Sequence, residues 1–292
     1  MRFSSRRVFA HSGLDLIFVL LTIVQLGLVG FGLAQFTRVS ILGLILYSTI
    51  QIALTLTQYH VVIHNFIHTR FFTFPLLNSL YAVFCSVAVL SPFTDQALEH
   101  LNHHKYVNDR VDRDTNTTRD SASTFRYGKG GKPEPLWRYA LLSPLRQALE
   151  YSDYSGRRRK VRMQVFMEIA VTLFFWATVA IFNWKFLILS LAIVYTAQIM
   201  SSAQNYLEHF ESDPENRLSN SVSGYGKFYN IIWFNNGYHQ EHHLRPNVHW
   251  TKIKDLRAEM LSEHHRRVAK IAHFPIKWEF GSLKRGCRQS AQ

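Results

Sequence analysis

The sequence predicts an all-α integral membrane protein: four transmembrane helices in two hairpins, carrying a cytoplasmic helical cap. Three observations lead there. Apolar stretches of membrane length come as two close pairs, a crossing needing roughly 20 apolar residues. The links inside each pair are only a few residues long, which forces antiparallel neighbours. The basic residues lie almost wholly outside the pairs. A mean hydropathy of −0.06 averages these two populations away.

The first span is expected over about 14–36, with Asp15 its only charge, and the second over 39–63, with none; Thr37 and Arg38 link them. The third and fourth are expected over 164–184 and 186–206, linked near Asn183, Trp184 and Lys185. A fifth apolar run, 71–93, is interrupted by Pro75, Asn78 and Pro92 and reads as a re-entrant or interfacial hairpin. Residues 1–280 read as one domain and 281–292 as a flexible tail. The glycines and prolines of 127–135 read as a flexible loop over the site, and Arg157, Arg158, Arg159 and Lys160 as a membrane-surface anchor.

Of 33 Lys and Arg, only Arg38 and Lys185 fall in the two links. By the positive-inside rule the remaining segments, with both termini, face the cytoplasm; a bacterial inner membrane is the expected setting. A net charge of +13 then belongs with anionic headgroups and needs no nucleic acid. The first run is span-length without a clear cleavage site, unlike a secretory signal. Cys85 and Cys287 are too far apart in sequence to make a metal pair or a disulfide framework, which fits a reducing compartment. Trp137, Trp184, Trp233 and Trp250 suit an interfacial belt. Phe66, Tyr81 and Phe84 suit either a lipid channel or plain packing.

Nine of the 15 histidines cluster: His64 and His68; His100, His103 and His104; His209; and His239, His242 and His243. On a helix, positions i, i+3 and i+4 share a face, so each group offers convergent ring nitrogens. The first group ends the second span and His209 ends the fourth, so all four reach one side of the membrane. Nine nitrogens exceed what one ion takes and suit two with four or five each, which gives the cap a di-metal site. Imidazole alone does not choose between zinc, copper and iron. Carboxylates that could orient the rings are Glu99, Asp109, Asp112, Asp114, Glu208 and Glu241. His60, one turn before His64, reads as another orienting or channel residue. His11, His249, His264, His265 and His273 read as surface residues.

With these groups in place, the chain resembles the membrane fatty acid desaturase superfamily, which includes acyl desaturases, hydroxylases, carotenoid ketolases and alkene-forming decarboxylases. The resemblance covers the whole chain. It rests on His64-x3-His68, on His100-x2-His103-His104 continuing to Asn108-Asp109 and Asp112-Arg113-Asp114, on Asn205-x3-His209, and on Gly237-Tyr238-His239-x2-His242-His243-x2-Pro246. It implies two non-haem irons held by the nine histidines, Asn205 holding a metal-bound water, O2 as co-substrate, and a separate ferredoxin-, rubredoxin- or cytochrome-type electron donor. It further implies oxidation of an unactivated C–H bond in a long-chain lipid: loss of two hydrogens gives an alkene, and insertion of oxygen an alcohol. A terminal-alkene-forming decarboxylase or a carotenoid oxygenase is the alternative. A metal transporter is the rival outside enzymes; it would need polar groups through the membrane's depth, and the spans read as almost free of them.

Overall fold

The computed structural model describes residues 7–149, 154, 156–257 and 270–271. It is mostly helical. The tail expected at 281–292, Cys287, His264, His265 and His273 lie outside the described residues.

A short 3-10 turn, Gly13–Asp15, leads into α1 (Leu16–Gln35). Next, α2 (Ile41–Thr57) runs through a π-helical turn, Gln58–Ile63, into α3 (His64–His68). Then follow α4 (Pro75–Val89), α5 (Phe93–Tyr106), α6 (Leu136–Leu149), α7 (Arg159–Glu208), α8 (Lys227–Ile232) and α9 (His239–Leu244). Two residues at 222–223 pair in parallel with 270–271. Three helical stretches are long and apolar enough to cross a membrane: Gly13–Gln35, Ile41–His68 and Arg159–Glu208. The pair α4 and α5, bent by 91°, counts as a fourth if read as one broken span.

The helix α7 is not one rod. Asn183 leaves the helical region (φ −159°, ψ 92°), and its side chain accepts from the Phe186 N–H at 3.1 Å, capping the next arm. Distant contacts show that the chain turns back there. Trp176 donates to the Val87 carbonyl at 3.0 Å, while Gln198 bonds the Tyr59 hydroxyl, which itself donates to the Val89 carbonyl. In a straight helix residues 176 and 198 would stand about 33 Å apart. The two arms, 159–182 and 184–208, therefore form the hairpin that the short link predicts.

In the run 71–93, Pro75 sits in the first turn of α4, where its missing N–H costs nothing, and the chain bends by 91° only at the helix end. Leu90 is left-handed (φ 54°), and Pro92 starts α5 in a new direction. Two groups hold this corner. Ser86 accepts from the Phe93 N–H at 2.8 Å, and buried Glu168 of α7 accepts from the N–H and hydroxyl of Thr94, both at 2.8 Å. A carboxylate at the first turn of a helix suits its dipole, so Glu168 fixes the direction of α5.

Large apolar side chains cover the outside, among them Phe31, Leu42, Phe174 and Ile181. Polar groups lie inside, which corrects the reading of spans almost free of them. Thr22 bonds Gln58 and Tyr81; Gln25 donates to Thr55 at 3.0 Å and to the Ala88 carbonyl at 2.9 Å; Gln51 donates to the Gln25 carbonyl. These groups bond one another between helices, as membrane bundles require, although the buried Gln25 Oε1 is left without a partner among the described residues.

Phe66 and Tyr81 pack with Phe18, Phe71 and Phe93 in the main apolar core, so packing, not channel lining, accounts for them, while Phe84 is exposed. Trp137 and Trp184 are exposed, as a belt requires; Trp233 and Trp250 instead pack against the core. His249 is no surface histidine: with Trp250 it binds the fully buried Asp15, at 2.9 and 3.0 Å. The 127–135 loop is pinned, because buried Glu134 pairs with Arg146 at 2.7 Å and with Arg138 at 3.0 Å.

Gln25→Leu removes two interhelical bonds while keeping volume. It is expected to lower stability by about 1 kcal/mol, within the range for such bonds in membranes. Thermal unfolding in detergent, with metal content unchanged, checks this.

Candidate metal centre

Four elements bring the nine clustered histidines together. His64 and His68 come from α3, His100, His103 and His104 from α5, His209 from the end of α7, and His239, His242 and His243 from α9. The π-turn matters here. In a regular helix His60, His64 and His68 would share a face. The wider turn separates them: His60 faces Ser201 and Glu208 (3.3 and 3.1 Å), while His64 and His68 face the other imidazoles.

The rings form two sets. In the first, the Nε2 atoms of His64 and His242, His242 and His104, His104 and His100, and His100 and His68 stand 2.8, 3.0, 3.0 and 2.8 Å apart. In the second, His103 and His209, His209 and His239, and His239 and His243 stand 3.0, 3.3 and 3.1 Å apart. Each H-x-x-H-H box is shared. His100 and His104 enter the first set and His103 the second; His239 and His243 enter the second and His242 the first. The rings of His104 and His243 stack at 4.3 Å where the sets meet.

The donor set can be tested for a cation. The His209 Nδ1 lies 2.9 Å from the Asn220 carbonyl, which only accepts, so it carries the proton. The His103 Nδ1 lies 2.8 Å from the Asp120 carboxylate and carries its proton too. Both Nε2 atoms are then bare lone pairs, facing each other at 3.0 Å. A second proton there would make a buried imidazolium, which low dielectric disfavours. Burial, helped by the neighbouring His103, pushes His209 down to about 4. Burial also pushes His239, His242 and His243 well below the usual histidine range. Only a cation reconciles such lone pairs. Two nitrogens at right angles around an ion, at a bond length of roughly 2.0–2.1 Å, stand about 2.9 Å apart, which is the spacing found here.

The orienting residues are partly those expected. Glu208 is buried, accepts from His60 and Gln204, and stands 3.7 Å from the His239 Nε2. Asp109 acts one step removed: it accepts from the N–H of Asp120 at 3.0 Å and pairs with Arg119. Two expectations are corrected. Asp112 is exposed and binds Asp114 and Thr115, so it closes a turn. Glu241 accepts from Ser223 at 2.8 Å and Tyr225 at 2.7 Å, bracing α9 from behind. Asp114 likewise serves that turn, and Glu99 faces the cavity described below.

Asp120 and Asn236, which binds the His64 Nδ1 at 2.9 Å, were not singled out in the sequence. Asp120 sits 17 residues from His103 with no periodic relation to it. Burial opposes its charge, but His103 and the N–H groups of Asn108 and Ala122 hold its carboxyl below the usual value. Gly237 shows why the third box starts with glycine: an added Cβ would lie 2.3 Å from the Gly224 carbonyl.

A cavity of about 170 Å³ opens onto His64, His100, His103 and His239. Asn205 lines it and does not touch a histidine; its amide donates to Tyr139 at 3.0 Å. A second, wider cleft reaches His104 and His243 past Lys105, Arg110, Arg113, Arg119 and Arg217, with Asp109, Asp112 and Glu215 among them.

The family model described as fatty acid desaturase matches residues 39–275. A curated relative is the sphingolipid delta(4)-desaturase of Candida albicans (strain SC5314 / ATCC MYA-2876), 27% identical over 210 residues, covering 67% of this chain and 56% of that protein. The chain therefore spans little more than half the length of that relative.

Asp120→Asn removes the charged acceptor from His103. It is expected to weaken metal binding about 10- to 100-fold, whereas Asp112→Asn leaves it unchanged; metal titration of the two variants checks the contrast.

Proposed function

The chain belongs to the fatty acid desaturase family, and from that premise we propose that it is an oxidoreductase of lipid metabolism that holds two iron ions and uses O2 to oxidise an unactivated C–H bond of a long-chain lipid, by desaturation or hydroxylation. The observation that carries this is the pair of all-imidazole sets, five Nε2 atoms and four. Imidazole suits iron, copper and zinc alike; family membership favours iron. Iron, when bound, supplies the activation of O2 and the removal of hydrogen.

The chain's residues do the rest. His64, His68, His100, His104 and His242 would hold one ion; His103, His209, His239 and His243 the other. The proton of the Tyr139 hydroxyl goes to the Ala122 carbonyl, so Asn205 must donate to that oxygen, which leaves its own carbonyl free to hold a water beside the second set. His60 and Glu208 fix one cavity wall by their mutual bond. We place α1, α2 and the two arms of α7 across the bilayer. The basic segments, with both termini, then lie in the cytoplasm, following the positive-inside rule. The separate electron donor would dock at the cleft over His104 and His243, whose basic rim suits an acidic carrier.

Expression in a host of simple lipid profile tests the proposal, with lipids and volatile hydrocarbons compared by mass spectrometry against a His242→Ala variant. The expected result is a new unsaturated or hydroxylated lipid that needs iron and O2, disappears in the variant, and forms more slowly at high salt. A volatile terminal alkene would favour decarboxylation, and an oxidised carotenoid the ketolase-like alternative. Turnover by iron-free protein, or a folded His242→Ala variant that keeps both iron and activity, would contradict it.

A further inference from the structure

The cavity in front of the histidines is lined in a way a plain hydrocarbon does not call for. On α7, Gln198, Ser201, Ser202 and Asn205 fall at i, i+3, i+4 and i+7, one helix face, and all four line it. On α5, Gln96 and Glu99 stand one turn before His100 and His103 and line the same space. Polar stripes at the end of an apolar helix mark places where something polar is bound.

The hydrogen bonds fix which atoms are on offer. The single proton of the Tyr59 hydroxyl goes to the Val89 carbonyl at 2.7 Å. Gln198 must therefore donate to Tyr59, and its own carbonyl oxygen is left over. The same reasoning leaves the Asn205 carbonyl free, because Tyr139 spends its proton on Ala122. Gln96 donates to the Ser91 carbonyl at 3.3 Å, which again leaves its oxygen. The three amides are thus turned the same way, with acceptors remaining and no partner for them among the described residues.

Resting on the oxygenase reading, we infer that the substrate carries a neutral hydrogen-bond-donating group, a hydroxyl or an amide N–H, within a few carbons of the oxidised carbon, and that Gln96 and Gln198 accept from it, Asn205 keeping its water. An ionised carboxylate or phosphate diester offers these amide oxygens no donor, and a bare methylene chain leaves them unpaired. A free fatty acid, whose charged end would have to lie here for a terminal alkene to form, is disfavoured on this ground. So is a wholly apolar carotenoid.

Three lipids of equal chain length test this with iron-loaded protein, a reduced electron carrier and O2: an N-acyl amino alcohol, a free fatty acid and a diacyl phospholipid. The expected result is kcat/KM at least tenfold higher for the amino-alcohol amide, with oxidation mapped by mass spectrometry to within a few carbons of the head. Equilibrium binding to metal-free protein in nanodiscs should rank the lipids in the same order. Gln96→Leu should raise KM for the amide several-fold, with iron content unchanged, and should shrink the preference for the amide over the phospholipid. Preference for the free acid or the phospholipid, oxidation at mid-chain, or a Gln96→Leu variant with unaltered KM would overturn the inference alone. Iron-loaded protein that oxidises none of the three would overturn the oxygenase reading and this inference with it.

Discussion

Nine buried or half-buried imidazoles, with Nε2 atoms converging at about 3 Å, are the constraint on which the remaining structure depends. Such an array repels itself unless cations occupy it, and burial closes the other escape, protonation. The protein must therefore hold the rings together without metal strongly enough for metal to find them. At three of the rings it does so through the far nitrogen, whereas the Nδ1 atoms of His104, His239 and His243 have no partner among the described residues. Asp120, Asn236 and the Asn220 carbonyl each fix a tautomer and aim a lone pair inward.

The fold then reads as a set of devices for aiming four short segments at one point. The π-turn rotates α3 so that His64 and His68 face inward while His60 joins Glu208. The Pro92 corner and the Glu168 cap direct α5. The reversal at Asn183 returns the chain so that His209 arrives at the same end. Gly237 lets the chain pass close beneath the Gly224 carbonyl, bringing α9 into place. Between the helices, the Gln25, Gln51 and Gln58 bonds hold the bundle in register where lipid supplies no hydrophobic drive between helices.

Sequence showed the membrane helices and the clustered histidines, because hydropathy and i, i+3, i+4 spacing are local properties. It missed what depends on long-range contact. The division of each box between two sets follows from how α5 and α9 face each other. Asp120 outranks the nearer Asp112 because a loop folds back on His103, and charge type alone did not separate the two. The π-turn leaves no mark in hydropathy, and it decides that His60 leaves the cluster. The corner at 90–92 was visible as Pro92, but its rigidity comes from Glu168, more than 70 residues away. The buried glutamines were overlooked because an isolated amide in an apolar run barely changes the average, although its partners lie on neighbouring helices.

The proposed centre holds two ions by imidazole nitrogen, in sets of five and four. Iron-edge X-ray absorption of iron-loaded protein, with metal counted per chain, tests it most directly. Two irons per chain are expected, with nitrogen or oxygen neighbours at roughly 2.0–2.2 Å, close to other metal–imidazole distances, and outer-shell scattering from several imidazole rings on each. Saturation at one iron, sulfur in the first coordination sphere, or a spectrum without imidazole scattering would contradict it.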